Sequence, residues 1–255
     1  PPPAAVWERV RSESDNCLGH KSPHYKKCFY QTARRRAQQA QIVVVNYALY
    51  FADLSLRRQG SKFLPDHKAV VFDEAHEVES IAAEHLGRQV TYFQVKHLFD
   101  SLLNVSGQRG FLRSIGAEPG GRLLLYPARE ECERFFAGVL DWAESRGTAN
   151  LRIREPGFVP DPLSGALRRV AEGLAKLVPV CETEGLAAEL SGFVARTTAL
   201  ADSVEDIVAQ KSKDAVRWVE VGRREGPFPR VLLKSCPIDV GPVLVHAVAD
   251  LARVG

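Results

Sequence analysis

Methionine is absent from all 255 residues, the first position included. That leads us to expect an internal piece of a longer polypeptide. No apolar run approaches the roughly 20 residues that span a bilayer. The opening PPPAAVWERV has no apolar core of the secretory-signal kind. Cysteine is sparse: five thiols, widely spaced apart from Cys17 and Cys28, are not the framework of a small secreted domain. These absences argue against a membrane span and a disulfide scaffold, and make a reducing cytoplasm the expected compartment. Excess charge is small too, a net +3 that names no partner by itself. What remains is an ordinary globular composition, 45% apolar, long enough for one large domain or two modest ones.

The distribution of charge says more than its sum. Lys21, Lys26, Lys27, Arg34, Arg35 and Arg36 follow one another between His20 and Arg36 with no acid among them. Such a stretch suits a polyanion, or is simply a solvated loop and helix face. Within it CLGHKSPHYKKC, residues 17–28, brackets two histidines between two cysteines.

Along the chain, residues 29–41 have helical spacing, with Ala33, Ala37 and Ala40 on one face. The β-branched run IVVVN, 42–46, reads as a buried strand of a parallel sheet, and AVVF, 69–72, as a second. A helix is predicted over 47–58, and another over DEAHEVESIAAEHLG with Gly87 as its stop. Residues 88–118 and 129–146 have helical spacing, separated by a turn at GAEPGG and a possible short strand at RLLLY, 122–126. A loop or irregular hairpin follows over 147–165, then two long amphipathic helices over 163–212 broken near Pro179. VRWVEVG, 216–222, and RVLLKS, 230–235, are spaced as a hairpin, and a last helix begins near Asp239. The expected fold class is α/β, with a mostly helical insertion and a return to the α/β portion.

Chemistry concentrates at AVVFDEAH. A carboxylate at the carboxyl end of a buried strand lies where open sheets bind ligands. Asp73 there can hold Mg2+ against nucleotide phosphates, and Glu74 beside it can orient and deprotonate an attacking water. His76 is close enough to link that site to other moving parts. This is the logic of a DEAH-type Walker B box. The structural alternative is a helix N-terminus, with Asp73 as cap and Glu74 favoured by the dipole. A phosphate-cradling Walker A loop is missing. QGSKF, 59–63, lacks the earlier Gly and the Ser or Thr after Lys62, and is a decoy.

The order SDNCLGHKSPHYKKCFYQTARRRAQQAQIVVVNYALYFADLSLR, then LPDHKAVVFDEAHEVE, then LLKSCPIDVGPVL, resembles the DinG/XPD-like superfamily 2 DNA helicases. The resemblance implies a partial RecA-like (P-loop NTPase) motor domain with a mostly α-helical Arch insertion. Residues 1–30 would be an iron–sulfur-like module, 31–87 part of motor domain 1, 88–212 the Arch-like domain and 213–255 the return to the motor. It implies ATP and Mg2+ as cofactors and 5′ to 3′ movement on single-stranded or forked DNA. Asp73, Glu74 and His76 would be the catalytic set, and a monomer is favoured. The piece alone, without Walker A and a second motor domain, is expected to be inactive. Lys26, Lys27, Arg34, Arg35 and Arg36 would neutralise DNA phosphates, while Tyr25, Phe29 and Tyr30 would stack bases or wedge at a junction. Asn46 and Tyr47 would line the DNA path. Two other classes stay open: a relative of nuclease or regulatory function, and a metal-knuckle nucleic-acid-binding module without ATPase activity.

The family pattern also bears on the cysteines. Cys17 and Cys28 take the outer positions of the family's cluster motif, but Ser22 stands where a middle cysteine belongs. A [4Fe–4S] cluster wants four thiolates. Three readings follow: a degenerate module without metal, a zinc site from Cys17, His20, His24 and Cys28, or a cluster completed by ligands elsewhere in a full-length protein. The cluster-less reading predicts colourless protein without stoichiometric metal. Visible absorbance from thiolate-bound iron would overturn it, and about one equivalent of zinc on elemental analysis would favour the histidine-containing site.

Overall fold

Helices carry most of the described residues, and among these one small antiparallel sheet joins them. The structure, a computed structural model, describes residues 22–57, 62–147, 150–224 and 229–241. A 3-10 turn, Tyr25–Lys27, leads into α1, Phe29–Gln39, and then α2, Tyr47–Arg57. After a connector, a second 3-10 turn, Ala75–Glu77, opens into α3, Val78–Leu86. Strand β1, Arg88–Thr91, then α4, Tyr92–Leu102, α5, Phe111–Ser114, and α6, Glu118–Glu144, begin a helical body. It continues through β2, Asn150–Arg152, α7, Pro162–Ala175, a 3-10 turn at Val178–Val180 and α8, Glu184–Ala209. The hairpin β3, Ala215–Arg224, and β4, Pro229–Pro237, closes it.

Local chemistry accounts for the helix starts. Thr91 accepts a hydrogen bond from the Gln94 N–H, Asp161 from Ser164 and Thr183 from Leu186, each satisfying an amide that a helix start leaves open. Pro162 and Pro119 occupy the first turns of α7 and α6, where a fixed φ helps and a missing donor costs nothing. Gly87 follows the last residue of α3, as its position suggests, and the break near Pro179 separates α7 from α8. The turn expected at GAEPGG forms at its first residue, Gly116, but the helix already begins at Glu118, and the strand at RLLLY does not form because it lies within the 27-residue α6. Pro127 sits inside that helix with Tyr126 and Leu123 exposed, so the carbonyl it leaves unpaired lies on the watered side.

The sheet order is β1-β4-β3-β2, and every pairing is antiparallel. Opposite residues Val219 and Leu233 are buried together with Val231, facing the helices. On the other face Trp218 lies opposite Lys234, whose ammonium is 5.9 Å from the indole centroid and 3.1 Å from Glu220. This two-faced pattern is the period-2 alternation that makes the hairpin legible. It packs on the body made by α4 to α8, whose core includes Phe99, Phe135, Phe136, Leu167, Leu190 and Ile207. Gly173 of α7 allows a close approach to α6: a Cβ there would lie 2.7 Å from the Leu124 side chain.

A second, smaller cluster gathers Tyr50, Phe51, Leu54, Leu64, Ala82 and Val240. The hairpin, placed by sequence in the return segment 213–255, thus lies in the sheet of the helical body. Within the described residues the chain returns to this second cluster at Val240, and Cys236 of β4 reaches the Ala83 carbonyl beside it. The helix expected from Asp239 falls almost wholly outside the described residues.

The two parallel strands expected at 42–46 and 69–72 are not formed among the described residues. Both segments are non-helical but lie in no ladder, and Val44 and Val71 are each 93% exposed. Their β-branched runs disfavour helix, yet a ladder needs strand partners, and the described sheet lies elsewhere in the chain. The expected apolar face of α1 is replaced as well. Ala33 and Ala40 are exposed, and the buried position is Gln31.

One buried ion pair fastens α8 to β3. Asp206 accepts from the Ser212 N–H and hydroxyl at 2.9 and 2.6 Å, and Arg217 lies 3.6 Å from it while donating to the Ser212 and Ala215 carbonyls. Asp206→Ala is expected to cost about 3 kcal/mol or more, read as a lower midpoint in urea unfolding, because it strands the Arg217 charge in the core. Burial also pushes the Cys132 thiol up to about 12. Its raised value stabilises the folded state below about pH 8.5, and that stabilisation is lost as pH rises toward 12. Native protein at pH 8 should therefore resist alkylation at Cys132 until denaturant is added.

Candidate functional site

The acid pair lies at the end of the non-helical arm 68–72, at its junction with the 3-10 turn and α3. Asp73 and Glu74 are both exposed, and Glu74 has a left-handed backbone, φ 50° and ψ 51°. A glutamate there is uncommon, and such backbone persists where surrounding contacts hold it. The Asp73 carboxylate accepts from the Glu74 N–H at 3.1 Å, and the Glu74 carboxylate lies 3.3 Å from Nδ1 of His76. No side chain caps the 3-10 turn or α3, so the N-cap explanation for Asp73 does not hold. Among the described residues Asp73 has no basic partner within ion-pair distance.

Tyr47, the first residue of α2, reaches this turn. Its hydroxyl donates to the Asp73 backbone carbonyl, and its ring stacks on Phe72 and Phe51 at 5.9 and 6.1 Å between centroids. Desolvation, with Asp73, Glu77 and Glu74 adding to it, raises the phenol above its ordinary value, so it remains a donor at neutral pH. Asn46 caps the same helix: its side-chain oxygen accepts from the Leu49 N–H at 2.9 Å.

The far end of α2 holds the connector. Asp53 is fully buried and accepts from the Phe63 and Leu64 N–H groups at 2.5 and 2.7 Å and from Arg57 at 2.6 Å. Arg57 also donates to Asp66 and to the Leu64 and Pro65 carbonyls. Sequence reasoning passed over this pair. Its i,i+4 spacing was visible, but its target, the backbone ten residues on, was not. Lys62, the lysine of the decoy loop, pairs with Asp66, while residues 59–61 of that loop lie outside the described residues.

The basic helix is seated on the same connector. Arg34 donates to the Lys62 carbonyl at 2.8 Å and lies 5.7 Å from the Phe63 ring, which Tyr30 also meets. Arg35 donates to Thr32 and lies over Tyr25. Lys26, Lys27 and Arg36 are exposed and unpaired by acids among the described residues, and Phe29 is 92% exposed. The structure therefore divides the predicted cations into two that are engaged in the fold and three that face solvent.

For a cluster or zinc, Cys17 and His20 lie outside the described residues. Cys28 is half-buried at the start of α1, and Ser22 uses its hydroxyl oxygen to accept from the His24 N–H at 3.2 Å. Cys132 sits in the core of the helical body, and Cys236 on β4 reaches the Ala83 carbonyl. Among the described residues no three His, Cys, Asp or Glu side chains gather as a metal site. A four-thiolate cluster does not fit the side chains that are described.

Comparison with known proteins falls on this same region. Residues 16–95 match the DEAD_2 family. The chain is 39% identical over 94 residues to the ATP-dependent DNA helicase YoaA of Escherichia coli K12, covering 36% of this chain and 15% of that protein. It is 32% identical over 83 residues to the ATP-dependent DNA helicase DinG of the same organism, covering 32% of this chain and 11% of that protein. With the 3′-5′ exonuclease DinG of Bacillus subtilis it shares 29% over 110 residues, 43% of this chain and 11% of that one. The similarity over this stretch supports a fragment of the DinG/XPD-like superfamily 2 helicase family. The matches span only about a seventh or less of these relatives' lengths.

Asp53→Ala should destabilise the second, smaller cluster by about 3 kcal/mol or more, because two buried amides and Arg57 lose their acceptor. Asp53→Asn, which keeps one acceptor oxygen, should cost less. Urea unfolding followed by the environment of Tyr50 and Phe63 checks both. Hydrogen bonds from Lys62 and then Arg57 hold the Asp66 carboxyl below its ordinary value. The stabilisation it gives is present above that ordinary value and is lost as pH falls through the lowered one.

Proposed function

We propose that this chain is part of an ATP-dependent DNA helicase that couples ATP hydrolysis to 5′ to 3′ movement along single-stranded or forked DNA. The observation that carries the reading is the turn at Asp73 and Glu74. Two exposed carboxylates leave a non-helical arm together, one beside an imidazole, within the stretch that matches helicase sequence. That arm and the segment 42–46 favour the reading of a motor sheet in the intact protein: Ile42, Val44 and Val71 expose apolar side chains of strand type.

Mg2+ keeps several waters and takes one or two carboxylates plus substrate phosphates, so a single exposed aspartate without a basic partner fits it. Asp73 would hold the ion, which when bound neutralises charge on the phosphates. Glu74 accepts the proton of the attacking water, and His76, against the Glu74 carboxylate, relays the state of that turn to neighbouring segments. Lys26, Lys27 and Arg36 contact phosphates, and Phe29 offers a face for base stacking. Arg34 seats α1 on the connector, Arg35 is engaged with Thr32 and Tyr25, and Asn46 acts as a cap. The nuclease reading has no acidic cluster to work with among the described residues.

In the full-length protein, Glu74→Gln should lower ATP hydrolysis by about 100-fold or more while leaving single-stranded DNA binding intact. Retained hydrolysis would refute the motor assignment. Replacing Lys26, Lys27 and Arg36 together by alanine should weaken DNA binding and flatten its salt dependence by about 2 in log–log slope, measured by fluorescence anisotropy.

A further inference from the structure

Helix α2 meets the segment that ends in the acid turn through the rings of Tyr47 and Tyr50 on Phe72, and among the described residues the Tyr47 hydroxyl is the side-chain group that bonds the turn itself. Tyr47 donates its hydroxyl to the Asp73 carbonyl, the peptide group that links Asp73 to Glu74. Its ring is already stacked on Phe51 within α2 and on Phe72 just before the acids. Those stacks occupy the ring that the family resemblance offered to DNA, and they leave the hydroxyl as the working group. The left-handed backbone of Glu74 begins one peptide further on, with no side-chain cap to hold it. A left-handed glutamate relaxes readily unless a neighbouring peptide is tethered.

Resting on the motor reading above, we propose that Tyr47 is a positioning residue for hydrolysis: its hydroxyl pins the Asp73–Glu74 peptide so that both carboxylates are presented in register. It does not touch substrate. The Asn46 cap fixes the first turn of α2, and the Asp53 clamp fixes its far half, so the phenol is delivered from a helix held at both ends. The pinned peptide in turn sets where Glu74 meets His76, 3.3 Å away.

Tyr47→Phe in the full-length protein removes the hydroxyl and keeps the stacks. Loss of one hydrogen bond that orients the reacting groups predicts about a tenfold fall in kcat for DNA-stimulated ATP hydrolysis. KM for ATP should stay within about twofold, because substrate contacts are untouched. Hydrogen–deuterium exchange should quicken at residues 73–77 while the helical body and the thermal midpoint stay as they were. Unchanged kcat, a rise in KM with kcat kept, or unfolding of the whole cluster around α2 would each overturn the proposal. Glu74→Gln, assayed alongside, separates the two ideas. If that variant is inactive and Tyr47→Phe is normal, only the positioning role fails; if Glu74→Gln hydrolyses ATP normally, the motor reading fails.

Discussion

A fully buried carboxylate, Asp53, governs the geometry of the N-terminal region. It satisfies two backbone amides of the connector and the guanidinium of Arg57, so the chain after α2 is folded back onto that helix. A buried charge is costly unless every partner is in place, and this one has a full set. From that fastening the arm 68–72 runs back along α2 until Phe72 meets Tyr47 and the acids emerge. Seating of the basic helix depends on the same backbone, through Arg34 on Lys62 and Tyr30 on Phe63. The acid turn and the cation-bearing helix are thus referenced to one helix, although 37 residues separate Asp73 from Arg36 in the chain.

The two clusters differ in how completely they are enclosed. The helical body surrounds its aromatic and leucine core with five helices and an antiparallel sheet, and its interior is closed. The cluster on α2 and α3 is small and bordered by exposed valines and an isoleucine on two extended segments. Exposed apolar side chains of strand type are costly in water and mark surfaces that other parts of a structure cover. Function is read from the open cluster, because ligands meet a protein where its scaffold ends. The closed body carries its own ion-pair latch, Asp206 with Arg217.

Much of this was legible from residue patterns. Helices α2, α3, α7 and α8 and the β3–β4 hairpin follow from spacing, from Gly87 and Pro179, and from alternation across Val219 and Leu233. The string holding Asp73, Glu74 and His76 stood out because it is rare and follows an apolar run, and the structure brings Glu74 beside His76. The start of α6 was misread because Gly and Pro usually punctuate. Here Pro119 lies in the first turn, and packing of Gly121 against Leu112 overrides propensity.

By itself, the order of residues determined the helices α2, α3, α7 and α8, the β3–β4 hairpin and the adjacency of the acids, because those follow from periods and neighbours a few positions apart. Tertiary structure alone decided that Val44 and Val71 lie open and that Arg34 seats α1 while Lys26, Lys27 and Arg36 face water. It also decided that Tyr47 serves the Asp73 carbonyl and that Asp53 is the fastening point. Those outcomes depend on partners ten to thirty residues away, and pairing of that range is set by which buried polar groups find donors, a sum no local pattern carries.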